Sequence, residues 1–203
     1  MTISKGTEWG SEVTRPDDLR VATDDAHLAS LLTDGSGTAT AVASGDLWRT
    51  VGARPLGDRM RVFAFPVDLV SYRIDDEPAG TFVAHLLARR PLHRGGVWRG
   101  EVLVVMNAEW IGSFDVAPRG HPNDGRVETL LASPALTVRQ RLAVRSRLPN
   151  ATHLPHPLIA SRPVRAHEWE FDQPMDVVAD GRPVGRARRL TIHVEPDAAI
   201  LFA

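Results

Sequence analysis

Apolar residues fall into short runs along most of the chain, and the runs change character near residue 60. Residues 1–20 read as an irregular arm broken by Gly6, Gly10 and Pro16, with Trp9 placed to pin it to the body. Asp24 to Leu32 reads as a short helix. Asp24 or Asp25 caps it, and Ala26, Leu28, Ala29, Leu31 and Leu32 supply its apolar face. Thr33-Asp34-Gly35-Ser36-Gly37 stops it, and Thr38 to Ala43 is a strand of small residues. From Arg61 the pattern predicts strands at 61–64, 67–74, 80–87, 101–107, 112–117, 126–131, 157–160, 163–171, 174–179, 189–195 and 199–202. One helix interrupts them, Pro134 to Leu148, with Leu136, Val138, Leu142, Val144 and Leu148 apolar. Short strands at about 8–12-residue spacing predict a sandwich or barrel.

The densest pattern is 102–131. An apolar run from Val102 ends at Asn107. Trp110-Ile111-Gly112-Ser113-Phe114 follows, then Ala117-Pro118 and a polar loop. Asn123-Asp124-Gly125 leads into a second apolar run from Val127. Asn-Asp-Gly between two β-prone runs is strong turn chemistry, because Gly accepts positive φ and Asx side chains bond their own backbone.

Composition narrows the picture. With 203 residues, 43% of them hydrophobic, the chain can bury a full core. The formal net charge of −1 gives no global field for nucleic acid, which is excluded as a partner. There is no Cys, hence no disulfide and no thiolate chemistry. The N-terminus resembles neither a signal nor a transit peptide, and no apolar run approaches the ~18 residues of a membrane span, so a cytoplasmic protein is expected. Lys5 is the only lysine, which reads as the codon bias of a GC-rich bacterial genome.

The stretch 102–131 resembles the C-terminal domain of diacylglycerol kinase and sphingosine kinase-like lipid kinases, within the NAD kinase/diacylglycerol kinase-like superfamily. There a strand ending in Asn precedes glycines and a loop of the form Ala-Pro-x-Ala-x-Leu-x-Asp-Gly-x-Leu-(Asp/Glu)-Val. Here that loop runs from Ala117 and Pro118 through Asp124 and Gly125 to Glu128. Val67-Asp68-Leu69-Val70 resembles the strand opening the family's second domain. Leu148 to His153 resembles its x-Gly-x-His segment, Asp180-Gly181 its Asp-Gly-Glu, and Val194 to Ile200 its closing strand. Gly45 to Gly52 resembles the family's Gly-Asn-Asp-Leu-Ala-Arg-Thr-Leu-Gly, with Gly45 in place of Asn. Alternatively, Asp34 to Thr38 is read as the Gly-Gly-Asp-Gly-Thr nucleotide loop, with Gly35, Gly37 and Thr38 as its phosphate contacts. Under either reading Ser36 replaces the loop's Asp.

The resemblance implies a β-rich α+β protein. Residues 60–203 would form an antiparallel β-sandwich like the C-terminal domain of lipid kinases, and 1–59 an arm and a remnant α/β segment. An active kinase would need ATP and Mg²⁺. The resemblance implies Mg²⁺ on Asp124, with the backbone carbonyls of His121 and Arg126; the alternative is that Asp124 only makes an Asx turn. The glutamate that accepts the proton in the family falls on Arg182, which stays protonated, so Asp180 is the one candidate base. Asp180-Gly181 alone is an ordinary hairpin turn. His153 reads as a structural histidine rather than a zinc ligand, and Asp172 and Asp176 as turn residues flanking Pro174.

Arg139, Arg141, Arg145 and Arg147 crowd the 134–148 helix, which has no acid. Such a helix can lie on anionic lipid, or its Arg stems can cover apolar surface. Three functions are therefore open. One is a catalytically degenerate lipid-kinase-like protein binding a lipid, a phosphorylated ligand or a partner chain, including a second copy. Another is an active lipid kinase whose nucleotide site is completed in trans. The third is an interaction module using an exposed sheet edge. Arg182 and the missing Asp favour the first.

Overall fold

The computed structural model describes residues 8–203, so Gly6 of the expected irregular arm lies outside the described residues. The chain begins with β1 (Ser11–Thr14) and β2 (Arg20–Ala22). Helix α1 (Asp25–Thr33), β3 (Thr40–Val42) and the short α2 (Asp46–Thr50) follow. Then come β4 (Arg61–Ile74), β5 (Gly80–Phe82), β6 (His85–Arg89) and β7 (Val102–Met106). The hairpin strands β8 (Trp110–Ile111) and β9 (Phe114–Asp115) precede β10 (Val127–Ala132) and α3 (Val138–Arg147). The chain closes with β11 (Ile159–Val164), β12 (Ala166–Ala179) and β13 (Arg182–Phe202).

Eleven strands share one sheet. Its main path is β1-β4-β13-β12-β6-β7-β10-β11; β2 and β3 join through the end of β13, and β5 joins β4. Pairing is antiparallel except for β2–β3 and β3–β13. β2, α1 and β3 therefore form a βαβ unit. That unit and α2 dock on the larger sheet: Leu28, Leu31 and Leu47 share a core with Phe65, Val67, Val83 and Leu201.

The hydrogen bonds draw one sheet where two facing sheets were expected. Val70 of β4 shares a core with Val105 of β7 and Val127 of β10, four and five places away in the strand order. A flat sheet cannot bring them together, so this one curls around its core. Several predicted strand breaks are bulges inside longer strands. Pro174 lies at the register shift of β12, and Pro196 at that of β13, where Asp197 has φ 54°. β4 runs through Pro66, whose carbonyl accepts the Trp9 indole N–H at 2.9 Å. Trp9 also packs on Phe65 and His121, so it does pin the arm.

α1 starts as the sequence predicts, with Asp24 as N-cap. α3 starts at Val138 rather than Pro134, because Thr137 and Gln140 form a capping box. β6, β7 and β10 alternate. Leu86, Leu103 and Val127 face the main core, while Met106 and Leu130 face the opposite side, toward Leu148 and Ile159.

Candidate functional site

Three constellations hold the predicted residues. The first lies where β2 enters α1. Asp24 is extended, and its Oδ1 accepts from His27 N at 2.8 Å. Asp25, only 5% exposed, reaches across to α2. Its Oδ2 accepts from Asp46 N at 2.6 Å and its Oδ1 from Leu47 N at 3.2 Å. Gly45 has φ 131°, and a Cβ there would collide with the Asp25 carboxylate, so glycine is required. Asp46 Oδ2 lies 3.2 Å from His85 Nδ1, and its Oδ1 accepts from Gly112 N at 2.6 Å. Arg49 lies 3.8 Å over the Trp110 ring, so α2 is bolted to the β8–β9 hairpin.

Asp180 and Gly181 have φ 46° and 78° and form the two-residue hairpin between β12 and β13. The Asp180 side chain does more than turn the chain. It accepts from Val83 N at 2.9 Å, Ala84 N at 2.9 Å and His85 N at 3.0 Å. Arg182, two residues on, places a guanidinium nitrogen 3.3 Å from Asp24 Oδ1.

Burial sets the protonation of this cluster. Desolvation pushes the Asp25 carboxyl up to about 7, against the pull of the Asp46 and Leu47 N–H groups, and nearby Asp180 and Asp46 add to the rise. Burial also raises Asp180, which its three N–H donors partly offset. For His85 burial acts downward, but its pairing with Asp46 and the fields of Asp180 and Asp25 outweigh it, and its pKa lies above the ordinary value.

The glycines that the sequence reading offered for a nucleotide loop lie apart from this cluster. Gly35 and Gly37 lie in an exposed turn after α1, where Thr38 N donates to Ser36 Oγ at 3.3 Å. A phosphate cradle needs a strand running into a helix. Among the described residues β2 runs into α1 through Thr23-Asp24, and β3 runs into α2 through Ala43-Ser44-Gly45. Donors at both helix starts are already taken: Asp24 takes His27 N, and Asp25 takes the first N–H groups of α2.

The second constellation is the loop around Asp124. Asp124 Oδ1 accepts from Arg126 N at 3.0 Å, an Asx turn, while Asp124 N donates to the His121 carbonyl at 3.3 Å. The loop hangs from Asp68, which is fully buried and which sequence reasoning placed only on a strand. Asp68 accepts from Gly125 N at 2.7 Å, Asp197 N at 2.9 Å and Asn123 Nδ2 at 3.4 Å. Asn107 braces the same region by donating to the carbonyls of Val83 and Asp68. With one carboxylate engaged in its own turn, Asp124, His121 and Arg126 do not make a preformed Mg²⁺ centre. Among the described residues no group of three His, Asp or Glu side chains could hold a metal ion.

The third lies under α3. Arg141, read as part of a basic surface, is buried and donates to the carbonyls of Leu136, Val97, Gly100 and Ser133. Its head is a clamp, because the segment below α3 offers carbonyls with no strand partner. Arg139, Arg145 and Arg147 are exposed. Between α3 and the outer face of the sheet lies a cavity of about 250 Å³, walled by Leu87, Val104, Leu130, Phe114, Val144 and Leu148. Arg145 lines it and lies 5.0 Å over the Phe114 ring. His153 closes the floor, buried, with Nε2 3.1 Å from the Val116 carbonyl. Asp176 is in β12 rather than a turn, and it pairs with Arg186 at 2.9 Å.

No family model matches the chain, and no curated protein is similar to it. Solved structures are similar in fold. One, described as "a putative diacylglycerol kinase from Bacillus anthracis str. Sterne", superposes with TM-score 0.64 at 12% identity. The match covers 91% of this chain and 77% of that one. Another, described as a diacylglycerol kinase from the same organism, gives TM-score 0.62 at 12% identity over 91% and 75% of the two chains. The chain thus has a diacylglycerol-kinase-like fold. Among the described residues no helix is long and apolar enough to cross a membrane.

Proposed function

We propose that this chain is a diacylglycerol-kinase-like protein that holds a lipid chain without phosphorylating it. The observation that carries the reading is the cavity beneath α3, whose walls are aliphatic and aromatic and whose charged lining groups are arginines. A cavity of ~150 Å³ holds benzene, and by the same ratio 250 Å³ takes roughly ten carbons of one alkyl chain. Two chains do not fit, so a single-chain lipid, or one chain of a larger lipid, is the ligand class.

The cleft at β2–α1 supports the silent half of the reading. Asp24 and Asp25 occupy N–H groups at the starts of α1 and α2 that a phosphate would need, and Arg182 rather than an acid follows Asp180-Gly181. One observation favours a second reading, phosphoryl transfer with a nucleotide site completed in trans: Asp25, buried with its pKa raised to about 7, has the protonation behaviour of a general base. The two readings part in one experiment. The chain is titrated with ATP and Mg²⁺ by calorimetry, and separately with a fluorescent polyene fatty acid. Fatty-acid binding that weakens about tenfold or more in Val144→Trp, with no heat from ATP, supports the proposal. ATP binding with transfer to diacylglycerol that is lost in Asp25→Asn supports the alternative. Fatty-acid affinity unchanged in Val144→Trp overturns the cavity as the lipid site.

A further inference from the structure

The surface around the cavity carries a second pattern. Among the described residues nine large hydrophobic side chains are exposed, and four of them lie in two short segments. Leu92, 75% exposed, and Val97, 37% exposed, are on the single-turn 3-10 helices Leu92–Arg94 and Gly96–Trp98. Val138, 44% exposed, and Leu142, 54% exposed, are on α3. Arg141 joins the segments through the carbonyls of Val97 and Gly100, and Arg145 lies 6.0 Å over the Trp98 ring. Val138, Leu142 and Arg145 stand at i, i+4 and i+7, one flank of the helix.

Within the two segments that form this rim the charges have one sign. Arg94, Arg99, Arg139, Arg145 and Arg147 are all exposed. The sequence has no Asp or Glu from 89 to 100, nor from 129 to 167. Aliphatic side chains standing out of a ring of arginines, with a half-buried tryptophan beside them, match the headgroup zone of an anionic bilayer. The side chains enter the acyl boundary, the guanidinium groups meet lipid phosphates, and the indole sits between.

We infer that the rim formed by α3 and the 92–98 turns docks on anionic lipid bilayers and places the cavity mouth at the membrane surface. This rests on the lipid-binding reading only for its purpose; the docking stands on the rim. Val97, Trp98 and Arg145 belong both to the rim and to the cavity lining, so an alkyl chain can pass from bilayer to cavity without crossing water. Arg141 takes no part, since its charge is spent on carbonyls below the surface.

The test is co-sedimentation of the full chain with phosphatidylcholine vesicles, with and without phosphatidylglycerol, at low and high salt. The inference expects binding to phosphatidylglycerol vesicles that falls about tenfold or more in Leu92→Asp/Leu142→Asp, and also in Arg139→Glu/Arg147→Glu. All four side chains are exposed, so both variants keep the wild-type melt. Binding by the wild type should weaken as salt rises. Equal binding to neutral vesicles, or unchanged binding by both variants, overturns it. The fatty-acid titration without vesicles separates the two claims. If the chain binds fatty acid but no vesicle, the docking fails alone; if it binds vesicles but Val144→Trp leaves fatty-acid affinity unchanged, the cavity fails alone.

Discussion

Replacing Asp25 by Asn should change how stability depends on pH more than stability itself. In the folded chain the carboxyl titrates at about 7, whereas its ordinary value is 3.8. Between those limits the unfolded chain has released the proton and the folded chain still holds it. Stability from this group is therefore fully present below pH ~4, declines by about 1.4 kcal/mol per pH unit, and is gone above pH ~7. The ceiling on the loss is about 4 kcal/mol; shared titration with Asp180 makes about 2–4 kcal/mol the expected span. Asn removes the titration but offers one oxygen where two accept N–H groups. One buried donor at the start of α2 then loses its acceptor, at about 1–2 kcal/mol. The variant should be less stable than wild type near pH 4.5, and equal or more stable at pH 8. Guanidinium unfolding across that range, at constant ionic strength, measures the difference. A gap between the two proteins that stays flat with pH refutes the reasoning, because it means Asp25 is ionised in the fold throughout.

Three further outcomes follow from side chains that hold backbone groups. Asp68→Ala strands three donors and should cost about 3–5 kcal/mol. Asp124→Ala breaks one Asx turn and should cost about 1–2 kcal/mol, with thermal melts identical in chelator and in millimolar Mg²⁺. A melting temperature raised by Mg²⁺ in wild type and not in Asp124→Ala would show instead that the loop binds metal. Arg141→Met should cost about 3–5 kcal/mol by freeing four carbonyls, while Arg139→Met stays within about 0.5 kcal/mol; equal melts for the two would show that Arg141 is no clamp.

The strands were legible because period-two burial leaves a local trace, and the start of α1 because Asp24 is a local cap, whereas the Thr137 cap of α3 was overlooked and its start read too early. Prolines misled wherever a bulge absorbs them: Pro174 and Pro196 looked like strand ends and are interior. The site was less legible, since its bonds are long-range and their partners are backbone. Asp180 reads as a turn residue because nothing nearby reveals that its carboxylate caps N–H groups about 95 positions away. Asp25 reads as a helix cap for the same reason, although Gly45, where the resembling pattern has Asn, was a usable signal: no larger residue tolerates that carboxylate. Arg141 could not be told from its neighbours on a helix full of arginine, because only packing decides which one turns inward.

Asp24 and Arg182 meet at 3.3 Å, and Arg182 stands where the resembling pattern has glutamate after Asp-Gly. Both side chains are about half exposed, so the pair contributes under ~1 kcal/mol and does not account for itself as a stabiliser. Its effect is electrostatic. Asp24 alone would add a carboxylate beside the buried Asp25, and Arg182 answers it locally, leaving Asp25, His85 and Asp180 to set their own protonation. A cleft built for a nucleotide needs the opposite arrangement: open N–H groups and a base facing the substrate hydroxyl. Reversing the pair with Asp24→Gly and Arg182→Glu would still leave the α2 donors bound by Asp25. On the proposed reading, the absence of phosphoryl transfer would reside in the joint between the two helices as much as in Arg182, while the cavity and rim keep their own contacts and do not depend on it.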